Sequence, residues 1–229
     1  MERNYNCFIF CGGKCGSHTL LYTMKERGFN CFHVHNNHNY QDRFQNIINK
    51  TGCQDVLSFI KYQKSKKIYI IDSYRDPIER TISSFFNNIE FHIGKDYLSV
   101  DMEILIIKFN EIFRNKIENY HLCIIEVEYD FFKKYYIKEI DNLVFIKLRF
   151  KDINEWSDIL SSIFNKQIKL VNENISENKE YFDLYNKFKK KYKVPIDILN
   201  EVIQEKTFKK YNTPEEQEMY YEMWKSKSF

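Results

Sequence analysis

A short glycine-containing turn near the start of the chain carries residue types that bind phosphate or sulfate groups. It lies between an apolar segment, Cys7 to Cys11, which we predict to be a strand, and a helix that we predict to begin at Ser17. The first N–H groups of a helix lack an acceptor within the helix and carry the positive end of its dipole, so this arrangement favours anion binding. The candidate anion-binding residues are Gly13, Lys14, Cys15, Gly16, Ser17, His18 and Thr19.

The same turn does not match two common nucleotide-binding patterns. In the P-loop NTPase pattern, G-x-x-x-x-G-K-[ST], a lysine follows the last glycine, whereas here Lys14 precedes Gly16. The dinucleotide-binding pattern G-x-G-x-x-G does not occur in the sequence either. The alternative interpretation is an ordinary strand, turn and helix in which glycine only supplies a positive φ angle.

A second group of candidate anion-binding residues follows another apolar segment. Lys67 to Tyr74 is almost continuously apolar, which predicts a strand buried on both faces. Arg75 comes next, and Ser83 lies eight residues further on, in a helix that Asp76 is expected to cap. The guanidinium of Arg75 and the hydroxyl of Ser83 could hold one dianion at the carboxyl end of the strand. The alternative is an ion pair of Arg75 with Asp76 or Glu79.

Three histidines lie between these two groups in the sequence. Side chains alternate across a strand, so Cys31, His33 and His35 share one face of the predicted strand Asn30 to His35. His38 follows in a polar loop. A histidine has a near-neutral pKa and can accept a proton from a reacting hydroxyl group. The alternative is a metal site made of these four residues, for which the sequence offers no second ligand cluster.

Apolar segments alternate with helical patterns along the chain, which predicts an α/β fold. The predicted strands are Cys7 to Cys11, Asn30 to His35, Lys67 to Tyr74 and Leu143 to Phe150. They indicate a three-layer, P-loop-like fold in which helices flank a central, largely parallel sheet. For 229 residues we expect one domain over residues 1–229, with a helical, highly charged part from about Glu177.

The composition is typical of a globular protein without special affinity for nucleic acid. Hydrophobic residues make up 43% of the chain and charged residues 29%. The net charge is only +3 and the basic residues are scattered, so no nucleic-acid groove is predicted. The sequence shows neither a signal-peptide pattern nor a membrane span, and its 6 cysteines are expected to be reduced, so we expect a cytoplasmic protein.

Two segments resemble the PAPS-dependent sulfotransferases, whose sulfuryl donor is 3′-phosphoadenosine 5′-phosphosulfate (PAPS). The segment KCGSHTL (Lys14 to Leu20) is similar to the family's 5′-phosphosulfate loop. The segment IYIIDSYRDPIERTISSFF (Ile68 to Phe86) is similar to its 3′-phosphate motif, an arginine after a strand and a serine eight residues later. The run RDPIER most resembles carbohydrate sulfotransferases, notably uronyl 2-O-sulfotransferases and capsular-polysaccharide relatives. The segment YNTPEEQEMYYEMWK (Tyr211 to Lys225) resembles the family's closing helix.

The resemblance implies an enzyme that moves a sulfuryl group from PAPS to a hydroxyl of a carbohydrate or glycan by in-line displacement, releases PAP and uses no metal. It implies that Lys14 neutralises charge on the leaving phosphate and that His33 or His35 is the general base. We prefer His35, which is nearer the carboxyl end of its strand. It also implies a nucleotide contact at Arg149, which could equally form a strand-end ion pair with Asp152.

Other branches of the sulfotransferases use a glutamate as the base, which makes Glu126 and Glu128 the fallback candidates. Two further functions stay open at this point. One is a nucleotide-dependent phosphotransferase, against which the missing Gly-Lys-Ser pattern argues, and the other is a catalytically inactive scaffold that binds PAP or PAPS. The presence of Lys14, Arg75, Ser83 and His35 favours an enzyme over a scaffold.

Overall fold

The computed structural model describes residues 4–35, 50–117, 128–171 and 179–226. Contacts between residues divide the chain into two units, and each is described by itself. The first unit comprises residues 1–74 and 124–174, and the second comprises residues 75–123 and 175–229. The single domain over residues 1–229 stays a prediction.

A sheet of five described strands forms the centre of the first unit. The strands are β1 (Cys7–Phe10), β2 (Cys31–Val34), β3 (Ile68–Tyr74), β4 (Tyr136–Ile140) and β5 (Leu143–Arg149). Their order is β2-β1-β3-β5-β4, and all neighbours run parallel except β5 and β4, which are antiparallel. The predicted α/β class and the largely parallel sheet are confirmed, because the four predicted strands all lie in this sheet.

The antiparallel edge strand β4 was not predicted, because its sequence differs from that of a buried strand. Four of its five residues are exposed, and Lys138 and Glu139 interrupt the alternation of apolar and polar side chains. A two-residue turn, in which Asp141 has a φ of 53°, joins it to β5. Asp and Asn are typical of such tight hairpin turns, so the pair Asp141-Asn142 is the signal that points to this strand.

Helices cover both faces of the sheet in the first unit. They are α1 (Ser17–Glu26), α2 (Val56–Tyr62) and α6 (Trp156–Phe164), and a 3-10 helix, Phe150–Glu155, precedes α6. On one face, Ile9 packs in a cluster with Leu20 of α1 and Leu160 of α6. On the other face, Phe8 packs in a cluster with Phe59 of α2. Burial on both sides explains why the central strands are almost continuously apolar.

Helices make up the second unit. They are α3 (Pro77–Asn87), α4 (Ile89–Ile93), α5 (Met102–Ile117), α7 (Phe182–Lys191), α8 (Ile196–Gln204), α9 (Lys206–Lys210) and α10 (Pro214–Lys225), and a 3-10 helix spans Tyr97–Ser99. Aromatic rings fill the core of this unit. The ring centroid of Phe109 lies 5.5 Å from that of Phe85, 5.3 Å from that of Phe188 and 4.9 Å from that of Tyr192. Edge-on contacts of this kind stabilise a core beyond the area that they bury.

We expect Phe109→Ala to destabilise the protein strongly, because it removes a ring that joins three others in this core. Loss of a buried phenylalanine side chain typically costs about 3–5 kcal/mol. Phe91→Ala is the control in the same unit, since the Phe91 side chain is 87% exposed and its loss should cost less than about 0.5 kcal/mol. Urea denaturation measures both variants, and equal losses of unfolding free energy would contradict the described packing.

Candidate active site at the sheet edge

The carboxyl ends of β1, β2, β3 and β5 meet at one edge of the sheet, because these strands run parallel. Open α/β sheets bind their ligands at this edge. The predicted anion-binding turn follows β1, and His35 follows β2. β1 and β2 are direct neighbours, with Phe10 opposite Val34. The turn and His35 therefore leave the sheet next to each other.

Residues 12–16 form a turn whose backbone is hydrogen-bonded to a strand of the sheet. Lys14 has a φ of 67° and Gly16 a φ of 80°, so both adopt the left-handed conformation. The hydroxyl of Ser73 in β3 donates a hydrogen bond to the carbonyl of Cys15. Gly16 is the N-cap residue of α1, and its carbonyl accepts the N–H of Leu20 at 3.1 Å. The predicted sequence of strand, turn and helix start is present.

The predicted anion-binding residues of this turn differ in their exposure. The side chains of Cys15, Ser17 and Thr19 are buried, whereas Lys14 and His18 are partly exposed. The backbone N–H groups at a helix start can serve an anion even where the side chains are buried. The turn can therefore offer an anion backbone donors together with the ammonium group of Lys14.

The glycine at position 16 is required by a close approach of Trp156. A Cβ atom at this position would lie 2.8 Å from Cη2 of Trp156, closer than real Cβ contacts, and 3.2 Å from Cδ2 of Phe150, tighter than most of them. The indole N–H of Trp156 donates to the carbonyl of Arg149 at 3.0 Å, which fixes the ring against the turn. Sequence analysis missed this contact, since it joins residues distant in the chain.

His35 is oriented by a hydrogen bond to the strand beside it. Its Nδ1 lies 3.0 Å from the carbonyl oxygen of Cys11, the last residue before the turn. A carbonyl oxygen can only accept, so Nδ1 carries the hydrogen and the neutral imidazole has its lone pair on Nε2. This tautomer makes Nε2 of His35 able to accept a proton, next to the anion-binding turn.

His33 lies in a group of three imidazoles and stays neutral. Its ring centroid is 4.6 Å from that of His35 and 5.1 Å from that of His18. Burial is the largest cause that lowers the pKa of His33 to about 4, and the neighbouring His35, His18 and Lys25 also contribute to this value. At neutral pH, His33 therefore adds no charge beside His35. The structure places His33 and His35, the two predicted base candidates, next to each other. Among the described hydrogen bonds, one orients the ring of His35 and none orients that of His33.

Arg149 is buried and forms an ion pair with Asp152. Its guanidinium contacts the Asp152 carboxylate at 2.7 Å through Nε and at 3.2 Å through Nη2, and it lies 4.9 Å from the centroid of the Tyr129 ring. The Arg149 residue is only 3% exposed. The strand-end ion pair that the sequence left open is thus present. The predicted nucleotide contact of Arg149 stays a prediction.

A buried ion pair of Asp72 and Lys147 lies beneath the same edge and was missed by sequence analysis. The two residues are direct partners in β3 and β5, their carboxylate and ammonium groups are in contact, and their side chains are 10% and 7% exposed. Burial and the nearby Asp72 raise the pKa of Cys11, so this thiol stays protonated. The sequence did contain a signal for this pair. Each of the two apolar strands carries one charged residue, the two charges are of opposite sign, and buried charges require a partner.

In the second unit, Asp76 caps α3 as expected and Arg75 forms an ion pair. The Asp76 carboxylate accepts the N–H of Glu79 at 2.9 Å, and Pro77 is the first helical residue. Nη2 of Arg75 lies 3.3 Å from the Glu79 carboxylate, which is the pairing that the sequence left open. Ser83 lies within α3 and is 7% exposed. An anion site of Arg75 and Ser83 stays a prediction.

Comparisons with models of protein families, with curated proteins and with solved structures each found no match. Within the described ranges, no helix is both long and apolar enough to cross a membrane. In the same ranges, no three His, Cys, Asp or Glu side chains are grouped so that they could hold a metal ion. Two candidates, His38 and Glu126, lie outside the described residues, and Glu128 is exposed.

We expect Gly16→Ala to destabilise the protein by about 2–4 kcal/mol, because a Cβ would be strained at a positive φ and would also overlap the Trp156 ring. Gly13→Ala is the matched control in the same turn, since its Cβ would meet no atom within 4 Å. Urea denaturation followed by tryptophan fluorescence measures both. A Gly13→Ala variant that loses as much stability as Gly16→Ala would contradict the described contact.

We expect His33 to make the protein less stable in acid. Its pKa is about 4 in the folded state and about 6.5 when unfolded. The unfolded chain therefore binds more protons between these values, and stability falls as the pH drops through this range.

His33→Asn removes this titration. From about pH 7.5 to about pH 5, the variant should lose about 1 kcal/mol less unfolding free energy than the wild type, after allowance for partial solvent screening. Urea denaturation at the two pH values measures the difference. Equal losses in both proteins would contradict the low pKa of His33.

Proposed function

We propose that this protein is a PAPS-dependent sulfotransferase that transfers a sulfuryl group to a hydroxyl of a carbohydrate acceptor. One observation carries the proposal. The Nδ1 atom of His35 lies 3.0 Å from the carbonyl oxygen of Cys11, so Nε2 is the nitrogen that can accept a proton, beside the turn that contains Lys14. Sulfuryl transfer to a hydroxyl needs a proton acceptor and a cationic anion site, and a P-loop-like turn would supply the second.

The turn would bind the 5′-phosphosulfate of the donor. Negative charge grows on the bridging oxygen as the bond from sulfur to that oxygen breaks. Backbone N–H groups at the start of α1 and the ammonium group of Lys14 would stabilise this charge. Because the backbone of the turn is fixed by Ser73 and Trp156, these donors would need little rearrangement during the reaction.

His35 would act as the general base. As the acceptor oxygen forms its bond to sulfur, Nε2 of His35 would take the hydroxyl proton, and the electron pair of the breaking bond would pass to the phosphate of PAP. The imidazolium so formed keeps its Nδ1–H on the Cys11 carbonyl, which stabilises the positive charge. His33, with a pKa of about 4, stays neutral and adds no charge beside His35 at neutral pH.

Arg75 and Ser83 would take the 3′-phosphate of the nucleotide. Arg75 directly follows β3, a neighbour of β1 in the sheet, so the two proposed anion-binding segments follow adjacent strands. A guanidinium suits a phosphate dianion because it can donate two parallel hydrogen bonds. The same residues would bind PAP after transfer.

The test is a transfer assay with PAPS and a set of glycans, in which mass spectrometry detects the sulfated product. We expect His35→Ala to lower turnover by about 10²–10⁴-fold with nearly unchanged PAP affinity, because a general base acts mainly in the transition state. Lys14→Ala should lower both turnover and donor affinity, because Lys14 touches the donor. His33→Asn, the matched control beside His35, should retain activity.

Several outcomes would contradict the proposal. If His33→Asn abolishes turnover and His35→Ala does not, the base has been assigned to the wrong histidine. Transfer from ATP but not from PAPS would identify a phosphotransferase. Tight binding of PAP without any product would favour a scaffold that has kept only nucleotide binding.

A further inference from the structure

The carboxylate of Glu79 lies between two cations in the second unit. Nζ of Lys189 is 2.8 Å from Oε1 and 3.1 Å from Oε2 of Glu79, and Nη2 of Arg75 is 3.3 Å from Oε2. The side chains of Arg75, Glu79 and Lys189 are 12%, 24% and 34% exposed, so the three charges are partly shielded from water. One carboxylate is thus shared by two cations, Arg75, which lies between β3 and α3, and Lys189 of α7.

The contacts of Glu79 with Lys189 and with Arg75 differ in length. Charge-assisted hydrogen bonds are typically about 2.7–2.9 Å long, and the shorter contact to Lys189 falls in this range whereas the contact to Arg75 is longer. Nη2 of Arg75 is the atom described in contact with Glu79, at 3.3 Å. Glu79 therefore lies closer to Lys189 than to Arg75 in the described contacts.

The neighbouring carboxylate of Asp76 has other partners. It accepts the N–H of Glu79 at 2.9 Å and the hydroxyl of Tyr220 at 2.9 Å, and it caps α3. Removing these bonds would expose the helix start, so Asp76 is not available to exchange partners. Arg75 also attracts the Asp76 carboxylate, but Glu79 is in described contact with Arg75, so a bound anion would compete with Glu79 for Arg75.

We propose that Glu79 competes with the nucleotide phosphate for Arg75, and that Lys189 is a positioning residue that holds Glu79 when the phosphate binds. This inference rests on the proposed function, in which Arg75 binds the 3′-phosphate. A phosphate dianion gives Arg75 a two-bond partner, while Glu79 stays on Lys189 and remains neutralised. The competition weakens PAP binding, which favours release of the product after transfer.

Helix dipoles give a simpler reason for each charge taken singly. Glu79 lies in the first turn of α3 and Lys189 in the last turn of α7, and both placements are mildly stabilising. Glu79 and Lys189 are 110 residues apart in the chain. The dipoles do not explain why their side chains meet beside Arg75. A shared carboxylate next to a candidate phosphate ligand is what the competition requires.

The experiment is calorimetry with PAP on the full-length protein and a double-mutant cycle. Glu79→Gln should tighten PAP binding by about threefold to tenfold, because Arg75 loses its competing carboxylate. Lys189→Met should weaken binding by a similar factor, because Glu79 is then left to Arg75 alone. In the Glu79→Gln background, Lys189→Met should have little effect, since no carboxylate remains to be held.

Matched controls lie on the same helical unit. Lys190→Met removes an adjacent exposed lysine and Glu90→Gln removes an exposed glutamate, and neither should change PAP affinity by more than about twofold. The cap of α3 uses the backbone N–H of Glu79 and is kept in Glu79→Gln. Thermal melting without PAP shows whether each variant is folded.

The outcomes separate this inference from the proposed function. If the wild type binds PAP and Glu79→Gln binds no more tightly, the competition is refuted while the donor site stands. An equal cost of Lys189→Met in both backgrounds would mean that Lys189 contacts the phosphate itself, which also refutes the positioning role. Folded wild type and variants that all fail to bind PAP would refute the donor site and the competition together.

Discussion

The contact between Gly16 and the indole of Trp156 is the constraint on which the candidate anion-binding turn depends. The ring fills the space that a side chain at position 16 would occupy, and its N–H is bound to the carbonyl of Arg149 at the end of β5. On the opposite side, the hydroxyl of Ser73 holds the carbonyl of Cys15. The backbone of the turn is thus fixed from two strands, and preorganised donors of this kind are the ones that stabilise developing charge most effectively.

Buried ion pairs beneath the sheet edge add a second constraint. Asp72 pairs with Lys147, and Arg149 pairs with Asp152. Removing one partner from a buried pair typically costs about 3–5 kcal/mol, whereas replacing both by apolar residues is often neutral. Such pairs are weak evidence for stability, but the pair of Asp72 and Lys147 joins β3 to β5 and the pair of Arg149 and Asp152 lies where β5 ends. The end of β5 is tied in this way to the 3-10 helix that leads to Trp156.

The sheet could be predicted from the sequence because four of its strands are buried on both faces and therefore apolar throughout. The exposed strand β4 could not be recognised in this way, since Lys138 and Glu139 give it the pattern of a loop. The ion pair of Asp72 and Lys147 was missed for a different reason. Its partners are 75 residues apart, and only the pairing of β3 with β5 makes them neighbours. Local patterns therefore identified the elements, while contacts between the elements required the structure.

The candidate site shows the same division. The sequence placed the turn after the first predicted strand and His35 at the end of the second, but it could not assign the tautomer of His35, which depends on the carbonyl of Cys11, the residue after β1. Arg75 is the harder case, because its spacing to Glu79 equally suits an ion pair within one helix. The structure adds a second cation to the pair of Arg75 and Glu79. Glu79 has a shorter contact to the distant Lys189 than to Arg75. In the proposed competition, Arg75 would contact Glu79 in the unliganded protein and would exchange this carboxylate for the phosphate when the nucleotide binds.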